Sequence, residues 1–418
     1  MRNFRLWILL AVSAAAILAF SQSDSKAKPS AEQSTKQSQA GATKPADSAS
    51  SEAKPTAAEP TKAESEVAEQ MYKNIQSLKG TPGDQLMPTM QYFSASLGVQ
   101  CSYCHVTKPA WAPDSDDKDE KRTARMMIDM TQSINQANFK GRPTIGCATC
   151  HAGHSNPNPA PPVTVAARQM PGANSPDELR LPTPSADQVL ASYYTAIGGK
   201  DALARLTTKV TTGSATTPQG HPHFELDQKS PNLYRMSFTN ADLGKDMAAT
   251  GNGETPQVHG GAEVYAEAFN GSQAWRKSGE GITELEGPDL ALSRLQGRLF
   301  DPELTPAPKA INNRVSTETI NGHDCYVLRE NPPEPNFAER LYFDQKSGLL
   351  VRRTLLQHTQ FGPLPITWDY DDYRDVHGVK VPFKLTHITW FDSITFNADS
   401  VEFNTALEDT KFQKPEGK

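Results

Sequence analysis

The chain has 418 residues, 37% of them hydrophobic and 22% charged, with a formal net charge of −6. That length supports more than one domain with its own core. A mildly acidic chain with no long basic run lacks the electrostatic footprint of a nucleic-acid binder, so nucleic acid is excluded as a main partner.

The chain opens with the short basic stretch "MRNFR" and an apolar run, "LWILLAVSAAAILAF" (6–20), before the polar "SQSDS". This pattern predicts a signal peptide over residues 1–22, with an uncleaved membrane anchor as the alternative. No cysteine follows the run at once, which argues against a lipid-modified anchor. The expected location is exported and periplasmic, with a possible tether to the inner membrane. Residues 23–64 are Ser, Ala, Lys, Glu, Gln, Thr and Pro with almost no apolar bulk, the composition of a disordered tether.

From 65 to 156 the periodicity is helical. "ESEVAEQMYKNIQSLKG" places Val67, Met71, Ile75 and Leu78 on one face and predicts a helix that stops at Gly80. "MPTMQYFSASLG" carries Pro88 in its first turn, aligns Met90, Phe93 and Leu97, and stops at Gly98. "DEKRTARMMIDMTQSINQANF" predicts a third helix with Met127, Thr131 and Ile134 on one face. The acidic "DSDDKDE" (114–120) before it reads as a solvated loop that caps this helix; steering of a basic redox partner is the other option.

Residues 157–184 are Pro-rich and aperiodic, a linker. Beyond it the pattern changes. Ser185 caps a helix over 186–199, "KDALARL" continues it after a break, and strand-like runs follow. Turn signals separate these runs at Asn270, Asn321, Lys346 and Val376, and a short helix (289–300) interrupts them. The fold class is therefore multidomain. A small all-α domain (65–156) precedes an α+β domain (185–415) with a large curved antiparallel sheet, a half-barrel, and a few helices.

The chemistry lies in two repeats, "CSYCH" and "CATCH": Cys101, Cys104, His105 and Cys147, Cys150, His151. C-x-x-C-H is the attachment pattern of c-type haem. Two thiols three apart on a helical turn reach the two vinyl groups of one porphyrin edge and become thioethers. The adjacent histidine then lies beneath the ring as the proximal iron ligand. Zinc is disfavoured by the long gap between Cys104 and Cys147. An iron–sulfur cluster or disulfides would have no need of a histidine after each pair. Two covalent haems c are expected, which makes the N-terminal domain a dihaem domain. Methionine would supply the second axial ligand, and spacing alone leaves Met87, Met90, Met126, Met127 and Met130 open. His154 is read as a solvated linker residue, with a propionate contact or iron ligation as the other options.

The run "YKNIQSLKGTPGDQLMPTM", with "CSYCH", "ARMMIDMTQSIN" and "CATCHAG", resembles the multihaem cytochrome subunit of photosynthetic reaction centres. The resemblance covers residues 67–156, one pair of that family's haem repeats. It implies Met90 and Met127 as distal ligands and a local two-fold that brings the haems together; spacing leaves open whether Met126 or Met130 replaces Met127. It also implies electron transfer with redox partner proteins, either other cytochromes or membrane electron-transfer complexes. The family's second pair of repeats is absent, and a β-rich domain stands in its place.

That domain offers no catalytic constellation. His221, His223, His259, His323, His358, His377 and His387 are scattered and read as surface or turn residues. "RLYFDQKSGLLVRR" and "DYDDYRDVHGVKVPF" resemble, more weakly, the sheet of outer-membrane lipoprotein carriers and sorting factors, which implies a module for a hydrophobic ligand. The leading expectation is a non-enzymatic electron carrier with His/Met ligation at both irons. One alternative is a dihaem peroxidase or redox sensor with one open coordination site. Another is a carrier of a hydrophobic ligand through the C-terminal domain.

Overall fold

The computed structural model describes residues 66–157, 184–218, 220–239, 263–279, 281–297, 315–330, 334 and 336–415. The expected signal or anchor segment, the tether, most of the Pro-rich linker and His259 lie outside the described residues. Among the described residues no helix is long and apolar enough to cross a membrane.

The N-terminal described segment contains five α-helices: α1 (Ala68–Met71), α2 (Leu86–Leu97), α3 (Cys101–Cys104), α4 (Asp119–Phe139) and α5 (Cys147–His151). The long helix expected up to Gly80 is not formed. The helix ends at Met71, where Tyr72 turns extended (φ −126°, ψ 148°), and the left-handed Asn74, φ 59°, keeps the chain from resuming it. The segment closes into a loop instead. Val67 bridges Pro82, and the Glu69 carboxylate accepts the Gly80 N–H at 2.9 Å. α2 has Pro88 in its first turn, where no N–H is required, and stops at Gly98 with φ 66°.

α4 forms where expected, but its buried stripe is turned by one residue. Ile128, Thr131 and Asn135 face inward, while Met127 is 36% exposed. The run "MMIDM" offers two apolar stripes, and the branched Ile128 takes the core position. The segment's core joins Ala68, Leu78, Leu86, Tyr92 and Ile128 to Phe361, which comes from the β-rich part of the chain.

The rest is one 13-stranded antiparallel sheet. Its strands are β1 (Thr208–Thr216), β2 (His223–Lys229), β3 (Leu233–Thr239), β4 (Glu263–Phe269), β5 (Ala274–Ser278), β6 (Gly281–Leu285), β7 (Ser316–Ile320), β8 (His323–Glu330), β9 (Phe337–Asp344), β10 (Leu350–Thr359), β11 (Gly362–Val376), β12 (Val379–Ile388) and β13 (Ser393–Phe403). The order runs β6-β5-β4-β3-β2-β1-β13-β12-β11-β10-β9-β8-β7. Every neighbour is sequential except β1 against β13, which joins two meanders at the centre. Gly213 sits at a bulge in that seam, and a Cβ there would lie 2.1 Å from the Asn397 carbonyl oxygen. Two-residue turns form where Asn-Gly and His-Gly predict them. Asn321 and Gly322 have φ 50° and 83°, and His377 and Gly378 have φ 54° and 85°.

Among the described residues, three more α-helices belong to this part. α6 (Ala186–Ala196) starts with a capping box: the Ser185 hydroxyl accepts the Gln188 N–H while Gln188 accepts the Ser185 N–H. α7 (Lys200–Leu203) follows after the Gly198–Gly199 break. α8 (Gly287–Gln296) lies between the edge strands β6 and β7 in sequence. α6 packs through Val189, Leu190 and Tyr193 onto Leu341, Phe343, Val381 and Phe383. α8 packs through Leu292 and Leu295 onto Leu355, Ile366 and Trp368. Burial of these apolar faces is the main force that holds helices to sheet.

Candidate functional site: two attachment turns

Each C-x-x-C-H motif occupies one short helical turn, as its spacing requires. In the first, α3 ends as His105 turns extended. The ring Nδ1 of His105 lies 3.1 Å from the carbonyl oxygen of Pro113. Lys121 Nζ donates to the same carbonyl at 2.8 Å and to the Ser115 carbonyl at 2.7 Å, which fixes the returning loop. Burial lowers the His105 pKa, and the Pro113 carbonyl opposes that shift.

The acidic run is more ordered than a solvated loop. Asp116 accepts Asn74 Nδ2 at 2.8 Å and pairs with Arg125 at 2.9 Å and Lys121 at 3.2 Å. These partners hold its carboxyl well below the usual range.

The second turn is held from two sides. Buried Asn135 of α4 clamps the approach: its Nδ2 donates to the Ile145 carbonyl at 2.7 Å, and its Oδ1 accepts the Ile145 N–H at 2.9 Å. The Thr149 hydroxyl accepts the Gly146 N–H at 3.0 Å. The far end docks on α2, where the Gly153 N–H donates to the Ser96 carbonyl at 2.9 Å. A Cβ on Gly98 would stand 2.1 Å from the Gly153 carbonyl oxygen. The His151 Nδ1 lies 2.9 Å from the His154 carbonyl oxygen. His154 thus has a definite part through its backbone, beyond the solvated role read from sequence.

The two turns share one arrangement. In each, Nδ1 of the motif histidine faces a backbone carbonyl, which orients the ring and leaves Nε2 for a metal. No disulfide joins any of the five cysteines. Burial pushes the Cys147 thiol up to about 11 and raises that of Cys104. Tyr103, Trp111, Met126, Met127 and Met130 stand exposed around the turns, though they are large and apolar. Trp111 lies 5.7 Å from His105, ring to ring. An apolar macrocycle needs such a surface; thiols can add to its vinyl groups, and imidazole Nε2 and thioether sulfur are donors to its iron. These residues fit a covalently held haem. Met90 is half-buried beside the small core. The helices interlock: α2, which carries Met90, packs on α5, and α4, which carries Met127, packs on α3.

Several supporting residues were not singled out from sequence. Phe361 and Gln360, between β10 and β11, reach the helical segment. Phe361 meets Phe93 edge to face, and Gln360 Nε2 donates to the Thr81 hydroxyl at 2.9 Å. Tyr92 lies under α5, its hydroxyl against the Gly146 backbone. The alternating apolar pattern around "HTQFGPLPI" marks strands, but nothing local in it says that the hairpin tip contacts a distant helix. His387 departs from the expected surface role. It is 2% exposed, on β12.

Residues 67–156 resemble the cytochrome subunit of photosynthetic reaction centres. Residues 26–186 match the family model described as photosynthetic reaction centre cytochrome C subunit. Among characterised proteins, the chain is similar to cytochrome c-554 of Chloroflexus aurantiacus. The two are 29% identical over a stretch covering 29% of this chain and 34% of that protein. It is also similar to the photosynthetic reaction center cytochrome c subunit of Roseobacter denitrificans, at 30% identity over 22% of this chain and 27% of that one. The chain thus spans about a third of the length of the curated relatives it matches.

Two solved structures are similar to the sheet-bearing part. One is an outer membrane lipoprotein-sorting protein domain from Vibrio parahaemolyticus, 13% identical, covering 54% of this chain and 94% of that one with a TM-score of 0.35. The other is a LolA superfamily protein from Nitrosomonas europaea, also 13% identical with a TM-score of 0.35, covering 56% and 99%.

Proposed function

We propose that the protein is an exported, periplasmic electron carrier with two covalent c-type haems. One is fastened at Cys101 and Cys104 with His105 as proximal ligand, the other at Cys147 and Cys150 with His151. Met90 and Met127 are the distal ligands. The observation that carries this reading is the shared geometry of the two histidines, each with Nδ1 on a backbone carbonyl and Nε2 left for iron.

Bound haem supplies one-electron chemistry, with the iron cycling between ferric and ferrous. The chain's own residues set the conditions for it. Two cysteines would fix each macrocycle on its turn. The carbonyls of Pro113 and His154 hold the histidine rings, and a methionine sulfur favours the ferrous state. No substrate bond is made or broken. The partners are redox proteins, such as a second cytochrome or a membrane electron-transfer complex.

Intact-mass measurement on protein from its native envelope tests the reading. The expected mass is that of the processed chain plus two haems. The mass of the bare chain would overturn it. Rapid turnover of peroxide by the same material would replace the carrier with a peroxidase.

A further inference from the structure

The sheet part contains a second site, separate from the attachment turns. A cavity of about 200 Å³ lies between α6 and the sheet. Leu226, Met236, Phe224, Leu385 and Phe396 give it an apolar body. His387, Trp368, Glu267, Tyr234 and Tyr265 give it a polar pole.

The groups at that pole differ in what they have left to offer. Glu267 is saturated. Its Oε1 accepts from the Tyr234 hydroxyl and from the Ser293 hydroxyl at 2.9 Å. Its Oε2 accepts from the Tyr265 hydroxyl at 2.9 Å and from Arg276 Nε at 2.9 Å. Arg353 also lines the cavity, but it is paired with Glu339 and lies over the Trp368 ring. His387 is the exception. It is 2% exposed and stacked on Trp368 with ring centroids 4.9 Å apart, and its Nε2 has no hydrogen-bond partner. A buried polar atom without a partner costs about 1–3 kcal/mol, and such an atom on a cavity wall points to a ligand that completes it.

We propose that this cavity binds a neutral, largely apolar molecule through one hydroxyl head that hydrogen-bonds to His387 Nε2. A hydroxyl both donates and accepts, so it serves either tautomer of the imidazole. An anionic head is disfavoured, because the carboxylate of Glu267 lies at the same pole. A cationic head is disfavoured by Arg353, which lines the same cavity. Burial keeps the imidazole neutral, pushed down to about 4, so the ring offers no charge to attract an ion. The site does not depend on the haem reading, since none of its residues belongs to the helical segment.

The test uses three probes with one aromatic body, 1-naphthol, naphthalene and 1-naphthoate, titrated calorimetrically into the full chain. Naphthol is expected to bind about tenfold tighter than naphthalene, the value of one hydrogen bond, with naphthoate weaker than naphthol. His387→Phe is expected to remove the tenfold preference and leave naphthalene binding unchanged. Met236→Trp, which fills the apolar body, is expected to abolish binding of both. Equal affinities for naphthol and naphthalene in the wild type would overturn the proposal. So would tightest binding of naphthoate, no binding of naphthol, or naphthol binding unchanged in both variants. The wild-type comparison decides even where a variant fails to fold.

Discussion

Phe93 of α2 meets Phe361 of the β10–β11 turn edge to face, with ring centroids 5.0 Å apart. Phe361 is 2% exposed. This contact completes a helical core too small to close on its own, and it makes the sheet a structural support for the second attachment turn. Phe361→Ala is expected to destabilise the protein by about 3–4 kcal/mol, through lost burial and the cavity left behind. Denaturant unfolding gives the value, and limited proteolysis is expected to cut first within residues 66–157.

Axial ligation is open to single substitutions. Met90→Ala and Met127→Ala are each expected to convert one of the two haems from low to high spin and to weaken the thioether-to-iron charge-transfer band. Met126→Ala and Met130→Ala are expected to leave the optical spectrum unchanged. A spin change in either of these, and none in Met127→Ala, would move the ligand within α4.

Gly98 approaches Gly153 too closely for any side chain, and its φ of 66° favours glycine independently. Gly98→Ala is expected to cost about 2 kcal/mol or more, since strain and collision add. The damage falls on the second turn, so the haem-to-protein ratio, read from the pyridine haemochrome, is expected to drop toward one.

Glu267 is a buried carboxylate held by four donors, one of them Arg276. Glu267→Ala is expected to destabilise by about 3–5 kcal/mol, because it strands a buried guanidinium. Glu267→Ala combined with Arg276→Met is expected to recover much of that loss, which thermal unfolding of the single and double variants checks.

The neutral state of His387 predicts a pH dependence. Its pKa is pushed down to about 4 by burial, while the unfolded chain takes up that proton near pH 6.5. As pH falls from 6.5 to 4 the unfolded state gains a proton that the folded state refuses, so folded stability is lost, by about 3 kcal/mol in all. Above pH 7 the contribution is level. Asp289, pushed up to about 6 by burial, and Asp227, also raised, run the opposite way in the same window. The comparison is therefore wild type against His387→Phe. Their stability difference is expected to shift against the wild type as pH falls below 6.5 and to be constant above 7.

The two motifs were legible because their spacing states their chemistry, and α4 because its helical pattern runs unbroken over 21 residues, though that pattern does not say which of its faces is buried. β1 was not singled out. "TKVTTGSAT" has little apolar alternation, and it forms a strand because β2 and β13 pair with it on both sides. The helix expected before Gly80 failed because an apolar period does not reveal that the backbone turns extended at Tyr72 and left-handed at Asn74. His387 was misplaced for a related reason. Polarity predicts the surface, whereas its neighbours on β12 and the Trp368 ring draw it inside. The clamp at Asn135 joins residues ten apart in sequence, too far for a local signal.

The interlocked packing, α2 on α5 and α3 on α4, ties the two motifs to each other. Each motif leans on the helix that precedes the other, so the two are woven rather than placed side by side. Severing the chain between 107 and 118 would leave two fragments, each with an attachment turn and the wrong neighbour. Neither turn would then keep the helix it packs on, so the two attachment turns stand or fall as one unit.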